Sequence, residues 1–195
     1  YVESFEADNG EWIVSDEGTN PSTIELGTPP AGQTTINAAS DGTMAWYSNT
    51  ADAITDGNFY NANEEIYFQS GCFDMGCMAT ATFSIDVNFG TEAAWDGGSV
   101  AYSTDGGTTF TPLGSDLSND TGEGVNWYNE DNTGSHDIFG GTNLPSWAGV
   151  GTGWQTATHT IDMLAGETSV IFVVAFTSDG SGQNGEGFAF DNIQV

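Results

Sequence analysis

The chemistry open to this chain is set by its carboxylates. It carries 28 Asp and Glu, two His and no Lys or Arg, a formal charge of −28 over 195 residues. Divalent cations are drawn to uncompensated carboxylates, and calcium gathers about six to eight oxygens from carboxylates, amides and carbonyls. Asp191 stands out because it interrupts an otherwise apolar run, GFAFDNIQV; a carboxylate in such a place wants a partner. A second chemistry is open to the aromatics. Trp127, Tyr128, Trp147 and Trp154 fall in or beside a stretch rich in Gly, Asn and Asp, with Asn126 and Asn129 near. Aromatic faces with amide and carboxylate neighbours bind neutral sugars and need no cationic side chain, although aromatics in β proteins also serve as core and loop anchors.

Catalysis finds less support. His136 and His159 are the only histidines. No nucleophile-elbow motif is present, the HExxH spacing is absent, and no pair of carboxylates is singled out for glycoside hydrolysis. The chain reads as non-enzymatic. Asn119-Asp120-Thr121 is a formal glycosylation sequon.

The missing cations exclude further classes, since charged residues ordinarily make up about 25% of a chain, both signs together. Nucleic-acid binding rests on Lys and Arg against phosphates, and an anionic lipid surface would repel this charge. Bidentate Arg recognition and Schiff-base chemistry have no residue to perform them. Trypsin-like proteases find no site, which suits life outside a cell. No apolar run approaches the roughly 20 residues of a membrane span, so no direct membrane insertion is expected. Cys72 and Cys77 (GCFDMGC) are too widely spaced for a CxxC zinc or redox motif. In an extracellular chain such a pair is expected to be oxidised into a small local disulfide; the alternative is two reduced, packed cysteines.

These residues must be positioned by strands. Hydrophobic residues make up 37% and aromatics 12%, with 27 Gly for turns, and helical periodicity is almost absent. Thr80 to Phe89 alternates cleanly, placing Ala81, Phe83, Ile85, Val87 and Phe89 on one face. Ser99–Ser103 and Thr108–Leu113 flank Asp105-Gly106-Gly107, a hairpin signature. Trp154–Ile161 and Gly187–Val195 read as strands, Ser169–Thr177 as a central strand apolar on both faces, and Ile161–Gly166 as one helical turn. The stretch 114–153 has weak strand signal and reads as a long loop, and 10–40, polar and Pro-containing, reads as one weak strand and a loop. We expect one domain over 1–195, a piece of a larger exported protein.

The order of these pieces resembles a MAM-like jelly-roll family of secreted and surface-anchored Bacteroidetes proteins, adhesins among them. The resemblance is carried by Phe5-Glu6 with Trp12, DGTMAWYSN at 41–49, YNANEE and YFQSGCFD from 60 to 74, Trp95-Asp96-Gly97, YSTDGGTTF at 102–110, Gly153-Trp154, Thr158-His159 and the closing EGFAFDNI. Gly71 stands where the family has Pro, and the cation usual near 171–173 is missing. The resemblance implies an all-β, two-sheet antiparallel jelly-roll sandwich with long rim loops. It also implies a structural calcium ion shared between the first and last strands by Glu6 and Asp191, with Asn63, Glu64 and Asp96 as weaker additions. The expected role is a cell-surface adhesion or spacer module. The alternatives are a carbohydrate-binding module of a secreted enzyme and a self-assembling filament subunit. The expected partner is a neutral glycan or a cell-surface protein.

Overall fold

The computed structural model describes residues 1–49, 60–136 and 142–195, without the side chains of 132–136 and 142–143. The strands in chain order are β1 (Val2–Glu3), β2 (Ile13–Asp16), β3 (Ile24–Gly27), β4 (Ala45–Ser48), β5 (Glu65–Phe73), β6 (Thr82–Gly90) and β7 (Gly97–Ser103). They continue with β8 (Thr111–Pro112), β9 (Gly124–Val125), β10 (Glu130–His136), β11 (Thr142–Ala148), β12 (Gln155–Thr160), β13 (Val170–Thr177) and β14 (Gly187–Gln194).

The strands form two antiparallel sheets that pack face to face. The first runs β3-β4-β14-β6-β12-β9, with β1 on β14; the second runs β10-β11-β7-β13-β5-β2, with β8 on β7. No helix among the described residues is long and apolar enough to cross a membrane.

Alternation decides which side chains meet between the sheets. On β6, Phe83, Ile85, Val87 and Phe89 point into the core, as the sequence pattern predicts, and Phe188 and Phe190 of β14 join them. Two contacts between the sheets are tight. Phe176 of β13 and Phe188 stack with ring centroids 6.0 Å apart, and a Cβ on Gly98 of β7 would lie 2.2 Å from the Phe188 ring. The sheets therefore approach closely at Gly98, and only hydrogen fits there.

The doubly apolar β13 lies between β7 and β5 and is buried throughout. Its inward Phe172, Val174 and Phe176 enter the main core, while outward Val173 and Ala175 are covered by Tyr67 and Phe110. The expected helical turn is a 3-10 turn over Asp162–Leu164.

The stretch expected to be one long loop departs from the prediction. A short helix over Ser118–Thr121 is followed by β9, β10 and β11. Gly134 and Pro145 weaken the strand signal, and the β10–β11 pairing is irregular, with register shifts on both sides of Thr133. Such bulged edge strands carry little periodicity to read.

Candidate functional site

Three of the four aromatics expected to form a sugar platform are core residues instead. Trp127, Tyr128 and Trp147 are 2%, 1% and 0% exposed. Their rings pack on one another with centroids 4.7 to 5.1 Å apart. Their polar atoms are spent on backbone: Trp127 Nε1–H donates to Leu113 O, Trp147 Nε1–H to Asn126 O, and the Tyr128 hydroxyl to Val100 O. No face is left for a ligand. Large rings with one polar atom fill a β-sandwich corner well when the chain supplies a carbonyl within reach. Trp154 alone is half-buried at the surface, its indole N–H donating to Ala38 O at 2.8 Å.

His159 lies in the same corner. Its Nε2 is 3.0 Å from Ser118 Oγ and its Nδ1 2.6 Å from Thr160 O. Both side chains are 1% exposed, so this Ser–His contact is sealed from any substrate, and the second ring nitrogen meets a backbone carbonyl in place of a carboxylate. The His136 side chain lies outside the described residues. The sequon Asn119 is committed locally, its amide donating to Trp127 O and accepting from Trp127 N–H. The expected disulfide is not formed: Cys72 and Cys77 are both free and exposed. Cys72 sits in β5 opposite Ile171, and its sulfur lies 3.3 Å from Ser169 Oγ.

The acidic candidates separate into three places. Glu6 and Asp191 grip the same loop from two sides. Glu6, exposed, accepts from the N–H groups of Thr43 and Met44 at 2.9 and 2.7 Å, which hold its carboxyl below the usual range. Asp191, fully buried, accepts from Ser40, Asp41 and Asn192 N–H. Burial pushes Asp191 up to about 6, and the neighbouring Asp86 adds to this. Asp86 is one residue that sequence reading missed. It faces Asp191 directly across β6 and β14, is 5% exposed, and accepts from Ser40, Thr156 and Asn192 side chains. Asp86 and Asp191 are thus two buried carboxylates at facing positions of one sheet, each met by three hydrogen bonds.

The other candidates lie elsewhere. Asp96, at 0% exposure, has carboxylate oxygens within 4.8 Å of those of Glu92 and Asp179. It accepts from the Tyr60 hydroxyl and Asp179 N–H, and burial pushes it up to about 6. Asn63 adjoins this cluster through its N–H to Asp179 O, in a left-handed conformation with φ 55°. Glu64 is 1% exposed and belongs to neither group. It accepts from Thr23 N–H, Asn61 N–H and the Ser22 and Thr23 hydroxyls. Nothing in the sequence linked Asp96 to Asp179, which is 83 positions away.

A groove runs along the outer face of the second sheet. β2 pairs with β5, setting Ser15 beside Tyr67 and Ile13 beside Gln69. The β7–β8 hairpin overhangs them, and Phe110 packs on Tyr67. Asp105 fixes the hairpin by accepting from Thr108 and Thr109 N–H and both the Ser103 and Thr109 hydroxyls, which holds its carboxyl down at about 2. Gly106 and Gly107 supply the positive φ of the turn. The resulting cleft is about 430 Å³, with Tyr67 and Phe110 as its rings and Ser15, Glu17, Gln69 and Thr108 as its polar groups. That size and mixture suit a small ligand with a flat apolar face and hydroxyls.

No protein-family model matches this chain, and no curated protein matches it in sequence. Among solved structures, it is similar to the K3 cleaved adhesin domain of Lys-gingipain from Porphyromonas gingivalis. The TM-score is 0.53 at 13% identity, over 99% of this chain and 95% of that one. The K1 cleaved adhesin domain of the same protein gives 0.48 at 13%, over 100% and 97%. A xylan-binding domain from CBM 22 gives 0.45 at 13%, over 99% and 90%. At such identity the likeness to the K3 domain speaks for the fold, and with the strand order above it establishes this chain as a two-sheet jelly-roll sandwich.

Proposed function

We propose that this chain is a non-enzymatic, extracellular adhesion or binding module that takes a neutral glycan in the groove between β2, β5 and the β7–β8 hairpin. The groove carries this reading. It offers the partly exposed ring of Phe110 over the buried Tyr67, with an amide, a carboxylate and two hydroxyls and no cation, which is the chemistry a neutral sugar meets when it binds without phosphate or carboxylate recognition. The K3 domain that shares this fold is described as an adhesin domain, which supports the same reading. The test is a glycan array on the isolated chain, followed by titration of the best glycan. Phe110→Ala and Gln69→Ala should each weaken binding about tenfold or more while the melting temperature holds. A folded protein that binds no glycan, or binds one equally well in both variants, sinks the proposal.

Calcium forms the second part of the reading. The facing pair Asp86 and Asp191 would hold it, with Glu6 fixing the loop above them; the cluster of Glu92, Asp96 and Asp179 is a further carboxylate set fit for a metal. The ion would supply positive charge in a chain that has no Lys or Arg.

A further inference from the structure

β2 stands at one end of the second sheet and pairs on one side only, with β5. Antiparallel pairing alternates: residues that exchange backbone hydrogen bonds with the neighbour are separated by residues whose N–H and C=O point the other way. Glu17 N–H donates to Glu65 O at 2.8 Å, one step beyond the pairing of Asp16 with Ile66. That phase commits Ile13 and Ser15 to β5 and turns the N–H and C=O of Val14 and Asp16 outward. Among the described residues none meets these four groups.

The edge is open and apolar. Ile13 is 63% and Val14 41% exposed, and they stand on opposite faces of the strand. Native proteins ordinarily blunt an edge with Pro, Lys, a bulge or a covering loop, because a free row of N–H and C=O recruits further strands. β2 has no Pro or Lys and pairs with β5 without a bulge. Its protection is charge of one sign. Glu11 and Glu17 lie just beyond its ends, Asp16 lies within it, and all three are exposed. Asp16 is held in place by accepting from Ser22 N–H at 2.8 Å.

That charge decides what can pair here. A second copy would bring the same acids against these, from a molecule of charge −28 with no Lys or Arg to match them, and like charges facing across strands destabilise the pairing. An extended segment carrying Lys or Arg meets the opposite condition. Its backbone completes the row at Val14 and Asp16, its apolar side chains cover Val14, and its cations stand beside Asp16 and Glu17. We infer that β2 is a docking edge for an extended cationic segment of a partner protein, which joins the second sheet as a further strand. Main-chain bonds supply the affinity, and the acids both admit the basic strand and exclude a second copy. The edge is distinct from the glycan groove, which Ile13, Ser15 and Glu17 line from the other face of the strand and Val14 and Asp16 do not.

The test is NMR of the isotopically labelled chain with a short capped peptide in which Lys and Val alternate. Controls are a peptide alternating Glu and Val and one alternating Lys and Gly. The readout is amide hydrogen exchange at Val14 and Asp16, because charge attraction alone does not protect a backbone N–H. The Lys–Val peptide should slow both amides about tenfold or more at saturation and give cross-strand nuclear Overhauser contacts to β2, and neither control should. Val14→Pro removes one outward N–H and no bond to β5, a change edge strands tolerate, and should weaken binding about tenfold. The Lys–Val peptide N-methylated at alternate residues makes the same test with this chain untouched, and should bind as weakly. Binding that leaves Val14 and Asp16 unprotected, or that N-methylation does not weaken, is charge attraction only and overturns the proposal. Protection of both amides in the chain alone, rising with its concentration, makes a second copy the occupant and overturns it equally.

Discussion

Glu64 makes the stability of this protein depend on pH in an unusual direction. Burial pushes its carboxyl from the ordinary 4.5 up to about 7, against the hydrogen bonds from Thr23, Asn61 and Ser22 that pull the other way. Between those two values the folded chain holds a proton that the unfolded chain has released. Stability therefore falls as pH rises through this window, by up to about 1.4 kcal/mol per pH unit and about 3 kcal/mol in all. It is fully present below about 4.5. Asp96 and Asp191, both pushed up to about 6, add to the same slope. The assay is urea unfolding at a series of pH values from 4.5 to 8, at constant salt and with a chelator present so that no cation replaces the proton. Glu64→Gln, which resembles the protonated acid in shape and hydrogen bonding, should remove its share of the slope and leave the rest. Direct titration of the Glu64 side chain by carbon NMR checks the wild-type chain independently of how the variant folds. Equal slopes in the two proteins, or a Glu64 that titrates below 4.5 because its four donors outweigh burial, would refute the reasoning.

Calcium should act as a surrogate for those protons. At about one hundred times its dissociation constant it should add about 2.7 kcal/mol to stability, read as a rise in melting temperature at pH 8 that chelator reverses. Asp86→Asn with Asp191→Asn should abolish the part of that rise owed to the facing pair. Gly98→Ala should destabilise by about 1–3 kcal/mol through collision of its methyl with the Phe188 ring, measured by urea unfolding. Trp147→Ala should cost about 3–5 kcal/mol and leave glycan affinity unchanged once folded protein is counted. Cys72 and Cys77 should both react with a thiol reagent in the native protein, and Cys72→Ser with Cys77→Ser should leave the melting temperature nearly unmoved.

The sequence by itself determined the strands with a regular two-residue period. Thr80 to Phe89 and Gly187 to Val195 could be placed because each alternates against one core, and Ser169 to Thr177 because a strand apolar on both sides must be central. It also determined that no recognition here runs through Lys or Arg, since no fold can supply a side chain that is absent. It did not determine which face of a sheet stays open to water. Asp86 and Asn88 sit on the polar side of the clearest strand and read as solvent-facing, yet the 28–44 segment covers them and turns them into a buried carboxylate and a buried amide. The tryptophans posed the reverse ambiguity: the same Gly- and Asn-rich surroundings accompany an exposed ring or a core ring held by a carbonyl, and only the path of the chain around Trp127, Tyr128 and Trp147 decides. Tertiary structure alone brought Asp96 to Asp179 and Tyr67 to Phe110. Each pair joins segments far apart in the chain, so no local spacing records the contact; the sites exist because two sheets and their covering loops leave particular polar atoms on particular sides.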